Sequence, residues 1–265
     1  MKVMDVTRAI EELAPLESAL SWDNVGLLTG SGENEVTGVY LTLDVTRAAV
    51  EEAIQTGCNL IAAHHPLIFN PLKRVVTDDV EGLLIHTLIT HNISVYAAHT
   101  NFDAVKGGLN DILAEAAGIA SPRSFTAEEL KTPDGGVLDD FGRVGQLAAP
   151  MRFGEFAAEV KTRLNSPHAR YVGDLDKTVR TAAVVSGGGA DHLHAARRAG
   201  ADAFVSSDFK HHHAQYAAEV GLCLIDAGHF ETENLFCGFM REFLSARFVD
   251  IKIQCSTSAG FFRPI

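Results

Sequence analysis

What this 265-residue chain lacks narrows its function first. It has no C-x-x-C pair; Cys58, Cys223, Cys237 and Cys255 are scattered, three of them in or beside apolar runs. Free cysteine packs as a small hydrophobe, so all four are expected as reduced residues. Neither a cysteine metal site nor a thiol nucleophile has support. No window approaches the roughly 18 apolar residues that cross a bilayer, and the opening "MKVMDVTRAIEELAP" carries acids and no signal-like apolar run. A cytoplasmic protein with no membrane partner is expected. Positive charge is short as well: 22 Lys and Arg face 34 Asp and Glu, a net −12, which argues against nucleic acid as a partner. No low-complexity tract interrupts the chain, and 46% apolar content is enough for a substantial core.

What is present is organised in two similar runs. In the first, the strand "VTGVYLTLDV" precedes the helix "TRAAVEEAIQTG", with Thr46 as its N-cap and Gly57 as its stop. The strand "NLIAAHH", the helix "DVEGLLIHTLITHN" and the strand "SVYAAHTNFD" follow. In the second, "TVRTAAVVSGGG", "ADHLHAARRAG", "ADAFVSSD", "HHHAQYAAEVG" and "LCLIDAGHF" repeat the order strand, helix, strand, helix, strand. "TGCNLIAAHH" and "AGADAFVSSD" align without gaps, and "NISVYAAHT" corresponds to "GLCLIDAGHF". The pattern predicts an α/β protein with two βαβαβ-like halves, and ligands of open α/β sheets bind beyond the strands' C-terminal ends. Between the halves, "SPRSFTAEELKTPDGGVLDDFGRVG" reads as a linker or hairpin. The tail reads as an amphipathic helix and a short strand, "DIKIQCST".

The twelve histidines are clustered rather than spread, and His64, His65, His99 and His229 stand at those strand ends. His64 and His65 stand side by side before Pro66. Neighbours in a regular strand point to opposite faces, so one buried and one surface histidine is the plain alternative to a shared site. Pro66 cannot continue a central ladder, which makes a turn there plausible. "HTNFD" spaces His99 and Asp103 four apart, and "HFETE" spaces His229 and Glu233 likewise. Each pair is a surface ion pair or, on one helical face, two ligands. Both stand at equivalent strand ends beside the double histidine, which favours ligands. Imidazole with carboxylate suits Zn, Mn, Fe, Co or Ni, and five or six ligands suit two divalent ions better than one hydrolytic zinc.

Three further stretches keep two readings each. "SSDFKHHHAQYA" offers Asp208, Lys210, His211, His212 and His213, either as a solvated helix start capped by Asp208 or as a polar wall for an anionic substrate. "SGGGAD" is a tight turn or a phosphate cradle, without the lysine of a P-loop. "SWDNVGLLTG" holds the sole tryptophan, Trp22, beside Asp23 and Asn24, as packing at a turn or as a wall of the site.

Taken in order, "WDNVGLLTG", "LTLDVT", "AAHHPLIF", "AAHTNFD", "FGRVG", "SGGGAD", "SSDFKHHHAQYA" and "DAGHFETE" resemble the GTP cyclohydrolase 1 type 2 / Nif-three-like family, the YbgI-type proteins, in its short form. The resemblance implies two interlocked α/β parts, residues 1–122 with 231–265 and residues 123–230, and a metal site at strand C-terminal ends between them. It also implies a toroidal homohexamer, a trimer of dimers. By the family pattern His65 and Asp103 hold one ion, His64 and His229 the other, and Glu233 bridges. "SSD" departs from the more usual Thr-Gly-Asp, and His213 stands where an acid is common. The implied reaction is hydrolytic opening of the guanine imidazole ring of GTP with formate release. His99, His211 and His212 are then candidates for general acid and base, and Asp208, Lys210, Trp22 and Asp23 for the substrate wall. A metal-dependent phosphoester hydrolase and a non-catalytic metal-binding scaffold are the alternatives.

Overall fold

The computed structural model describes residues 1–125 and 141–263. It contains two compact units, Met1–Phe102 with Phe236–Ala259, and Asp103–Leu235 with the residues from Gly260 on. The chain first changes unit at 102/103, not at 122/123 as the sequence suggests, and the second change is at 235/236 instead of 230/231. The reason is packing. Leu113, Ala114, Ala117 and Ile119 belong to the same buried cluster as Phe153, Phe156, Val184 and Val205.

The first unit begins with α1 (Val3–Leu13) and β1 (Gly26–Thr29). The expected βαβαβ run follows as β2 (Val39–Thr42), α2 (Arg47–Thr56), β3 (Leu60–Ala63), α3 (Val80–Thr90) and β4 (Ser94–Ala97). These three strands are parallel neighbours, with Val39 opposite Leu60 and Leu60 opposite Ser94. Every residue of the three is buried, as parallel strands covered on both faces require. Thr46 caps α2 by accepting from the Ala49 N–H at 3.1 Å, and Gly57 ends it at φ +69°, a left-handed geometry open to glycine at little cost. Antiparallel β1 on β4 makes the sheet mixed. Immediately after β4 comes the short α4 (Thr100–Ala104).

The second unit continues with α5 (Leu109–Ala116), β5 (Ile119–Ser124), β6 (Arg143–Arg152), α6 (Phe153–Arg163) and β7 (Arg170–Val172). Its own βαβαβ run is β8 (Thr178–Val184), α7 (Leu193–Arg198), β9 (Ala203–Ser206), α8 (His211–Val220) and β10 (Cys223–Asp226). A 3-10 turn, Gly189–His192, leads into α7, and α9 (His229–Glu233) follows β10. The six-stranded sheet runs β5-β6-β8-β9-β10-β7, parallel at its centre and antiparallel at both edges. Strands β5 and β6 pair as a hairpin, with Ser124 opposite Arg143; the rest of the expected linker, residues 126–140, lies outside the described residues. The chain then forms α10 (Leu235–Arg247) and β11 (Ile253–Cys255), which adds a parallel strand beside β2 in the first unit's sheet. Cys58, Cys223 and Cys237 are buried and all four cysteines are free. Among the described residues no helix is long and apolar enough to cross a membrane.

A candidate metal centre

Three histidines of the first unit meet at the C-terminal ends of its parallel strands. Strand β3 stops at Ala63, yet His64 and His65 still donate their backbone N–H groups to Thr42 and Leu43. Their rings nevertheless lie 5.2 Å apart, on one side of the chain instead of on opposite faces. His99, beyond β4, brings its ring within 5.2 Å of His64 and 5.5 Å of His65. One nitrogen from each of the three lies within 4.8 Å of the others, close enough to share a metal ion.

Each ring is held by its Nδ1. His64 Nδ1 is 2.8 Å from the Ala98 carbonyl oxygen, an acceptor only, so that nitrogen carries the proton and Nε2 the lone pair. His65 Nδ1 is 2.8 Å from Asp44 Oδ1, and His99 Nδ1 is 2.9 Å from Asp23 Oδ2. An imidazole that donates one N–H to an oxygen and offers the other nitrogen is the form that ligates metals, and the oxygen partner raises its basicity. The Asp23 carboxylate has no solvent exposure and also accepts from the Thr100 N–H and hydroxyl. Burial pushes its carboxyl up, but the hydrogen bond and charge of His99, with those from Thr100, outweigh burial and hold it at about 2. Asp23 therefore stays ionised at neutral pH and anchors His99.

The second unit offers a more acidic set, again at strand ends. After β10, Gly228 leads into α9, which presents His229 and Glu233 on one face with Nε2 and Oε2 3.0 Å apart. His229 Nδ1 is 2.8 Å from Asp208 Oδ2. Burial lowers the His229 pKa, but Glu233 and then Asp208 reverse this and raise it to about 9. Gly187, beyond β8 at φ +59°, closes on the pair: a Cβ there would sit 2.0 Å from Glu233 Oε1 and 3.1 Å from His229 Nε2. Asp103, buried, accepts from the Ser186 hydroxyl at 3.3 Å, while Asn110 joins the Asp103 carbonyl to the Ser186 N–H.

The structure revises several expected roles. Asp208 does not cap α8. It adopts φ +60° and turns its carboxylate to His229, while the backbone of Lys210 holds the N-cap position and donates to His213 Nδ1. Asp23 is likewise spent on His99 and Thr100 instead of facing a substrate. The "SGGGAD" turn spends three of its amides internally, as a tight structural turn does: Ser186 N–H on Asn110, Gly187 N–H on Thr232, and Gly189 N–H on Ser206. Lys210, His211 and His212 are exposed at the start of α8, with the His212 ring 4.1 Å from His213. Trp22 is exposed and touches His99 edge-on. Asp44, Asn110 and Ser186 hold ligand candidates, and sequence reasoning missed all three. A carboxylate directly after the first strand of a βαβαβ run was the one available signal.

Known proteins match nearly the whole length of the chain. Residues 1–259 match the family model described as Duf34/NIF3 (NGG1p interacting factor 3). A Clostridium perfringens protein named GTP cyclohydrolase 1 type 2 homolog is 36% identical over 233 residues, 88% of this chain and 87% of that protein. Among solved structures, a hypothetical protein of Staphylococcus aureus superposes with a TM-score of 0.89 at 31% identity, covering 100% of this chain and 99% of its own. A Bacillus cereus protein related to NIF3 gives 0.86 at 28% identity, with 99% of both chains covered.

Proposed function

The chain belongs to the Duf34/NIF3 family, and from that membership we propose that it is a metal-dependent hydrolase acting on a nucleotide. The named reaction is hydrolytic opening of the guanine imidazole ring of GTP, with release of formate. One observation carries the metal part of this reading. Three ligand candidates, His64, His65 and His229, have Nδ1 2.8 Å from an oxygen, which leaves Nε2 as the ligating nitrogen, and the Nε2 of His229 lies 3.0 Å from Glu233 Oε2. Imidazoles oriented in this way beside a carboxylate fit a transition-metal donor set.

By the family pattern His65 and Asp103 would hold one ion, His64 and His229 a second, and Glu233 would bridge. Bound ions would supply Lewis acidity, activating water at neutral pH and polarising the bond under attack. The chain's own contribution is orientation and proton handling. Asp23, ionised and buried, holds His99 Nδ1, so the proton His99 trades is at Nε2. His211 and His212 are the exposed proton carriers of this proposal, and Lys210 its anion contact. In this proposal the chain assembles as a homohexamer, and light scattering of the pure protein at a single-chain mass would remove it.

Metal analysis should find up to two divalent ions per chain, lost together in Glu233→Ala. Formate and phosphate are then read separately from GTP with metals restored. Formate supports the cyclohydrolase, phosphate without formate a phosphoester hydrolase, and no product from any nucleotide a metal-binding scaffold.

A further inference from the structure

Trp22 and Phe69 are large aromatic side chains left 57% and 45% exposed, and their ring centroids lie 5.8 Å apart. They sit on two different loops that a side-chain hydrogen bond joins. Asn24 Nδ2 donates to the Ile68 carbonyl at 2.5 Å, tying one loop to the other. On the other side of Trp22, the Leu20 N–H donates to Thr100 Oγ1 at 3.0 Å and Asp23 is fixed to His99. The indole also meets the His99 ring at 6.3 Å and 70°, so it stands between Phe69 and the histidine triad. Exposed aromatic surface on hydrogen-bonded loops, next to the candidate metal centre, offers a stacking platform, because every planar ring has a π-face that needs no special hydrogen bonding.

The same loop continues into a cavity of about 480 Å³. Phe69 lines it together with the cations Lys73 and Arg74 and the carboxylates Asp79 and Glu81. Asp79 is committed to the N-terminus of α3, where Oδ1 accepts from the Gly82 N–H at 2.7 Å. Two cations thus share the lining with two carboxylates, of which Asp79 is oriented toward the helix N-terminus and Glu81 is not so held.

We propose that Trp22 and Phe69 hold the planar heteroaromatic ring of a mononucleotide beside His99, while Lys73 and Arg74 take its phosphates. This rests on the hydrolase reading for its substrate class, but it assigns residues and can be tested without turnover. Phe69, Lys73 and Arg74 become specificity residues: the aromatic pair selects for a ring, the cations for an anionic tail. Trp22 is the only tryptophan in the chain, so its fluorescence reports the platform directly.

The experiment is stopped-flow titration of Trp22 emission in the purified protein with GTP, guanosine and inorganic tripolyphosphate. GTP and guanosine should quench saturably, whereas tripolyphosphate should displace GTP without quenching like a base. Phe69→Ala, with Phe69→Leu as the variant that keeps apolar bulk, should weaken GTP and guanosine alike by about tenfold. Lys73→Ala with Arg74→Ala should weaken GTP by about tenfold and leave guanosine unchanged, while Glu81→Gln should tighten GTP. Absence of saturable quenching by either base-bearing probe, or equal affinities in the Phe69 variants, overturns the proposal. Formate and phosphate measured on the same samples separate the two readings. Quenching without turnover keeps the platform and removes the hydrolase; turnover with no quenching does the reverse.

Discussion

The ends of β3 and β9 occupy equivalent places in two βαβαβ runs, yet they do opposite jobs. After β3 the chain presents His64 and His65 as donors, and Asp44, beyond the preceding strand, backs His65. After β9, 143 residues later in the gap-free alignment, Ser207 and Asp208 stand in those places, and Asp208 is the backing group, for His229. The second run keeps its donor only at the end of the next strand, β10, where His229 stands in the place His99 takes after β4. One topology thus offers several strand ends, and a short change of side chain decides which end ligates and which supports. The first unit gathers three imidazoles, while the second gathers carboxylates around one imidazole. Carboxylates so close repel unless protons or cations compensate them, and His229 held protonated up to about pH 9 is that compensation in the metal-free chain.

The comparison can be broken most severely at the acidic set. Gly187→Ala should cost most of the bound metal and lower the melting temperature, since its Cβ would collide with Glu233 at a left-handed backbone position. Atomic absorption of the purified variant, alongside His65→Ala, tests whether both ions are lost together. Next in size are the backing groups. Asp44→Asn and Asp208→Asn should each weaken metal affinity by about 10–100-fold, as loss of such partners does. Equal affinity in both variants would remove the exchange of roles described above.

Proton competition gives a smaller, graded effect. His229 has a folded pKa raised above the ordinary 6.5 to about 9, so the stabilisation from its contacts is complete below about 6.5 and fades as pH rises through 9. Metal loading at His229 must displace that proton, so metal affinity should climb with pH up to about 9. NMR titration of the metal-free protein should place the His229 transition near 9, and Asp208→Asn should lower it. The smallest effect is at the helix starts. Thr46→Ala should cost about 1 kcal/mol by thermal melting, and His213→Ala at the start of α8 should cost less, because its ring nitrogen accepts only the Lys210 N–H.

Much of the site was legible because its spacing is local. His229 and Glu233 are four apart, α9 forms where the sequence placed it, and the pair meets at 3.0 Å. Pro66 marked the strand end that lets His64 and His65 share a side. The Asx cap was misread at Asp208 because an aspartate before a helix is the commonest cap, and nothing local shows that a residue 21 positions later claims its carboxylate. Asp44, Asn110 and Ser186 were invisible for the same reason: their partners lie 21, 76 and 83 residues away in the chain. Unit boundaries were misplaced because α5 and β5 carry no compositional break, only an apolar face that joins the core built on Phe153 and Phe156.

Sequence by itself determined the elements, the two parallel runs and the candidate donor residues, since 3.6- and 2-residue periodicities and i,i+4 spacing act over a few residues. Only the tertiary structure decided which carboxylate anchors which imidazole, that the glycine turn spends its amides internally, and that Trp22 and Phe69 stand together in solvent. Those outcomes depend on strand ends and loops distant in the chain being brought within hydrogen-bonding or stacking range, and no local pattern encodes that distance.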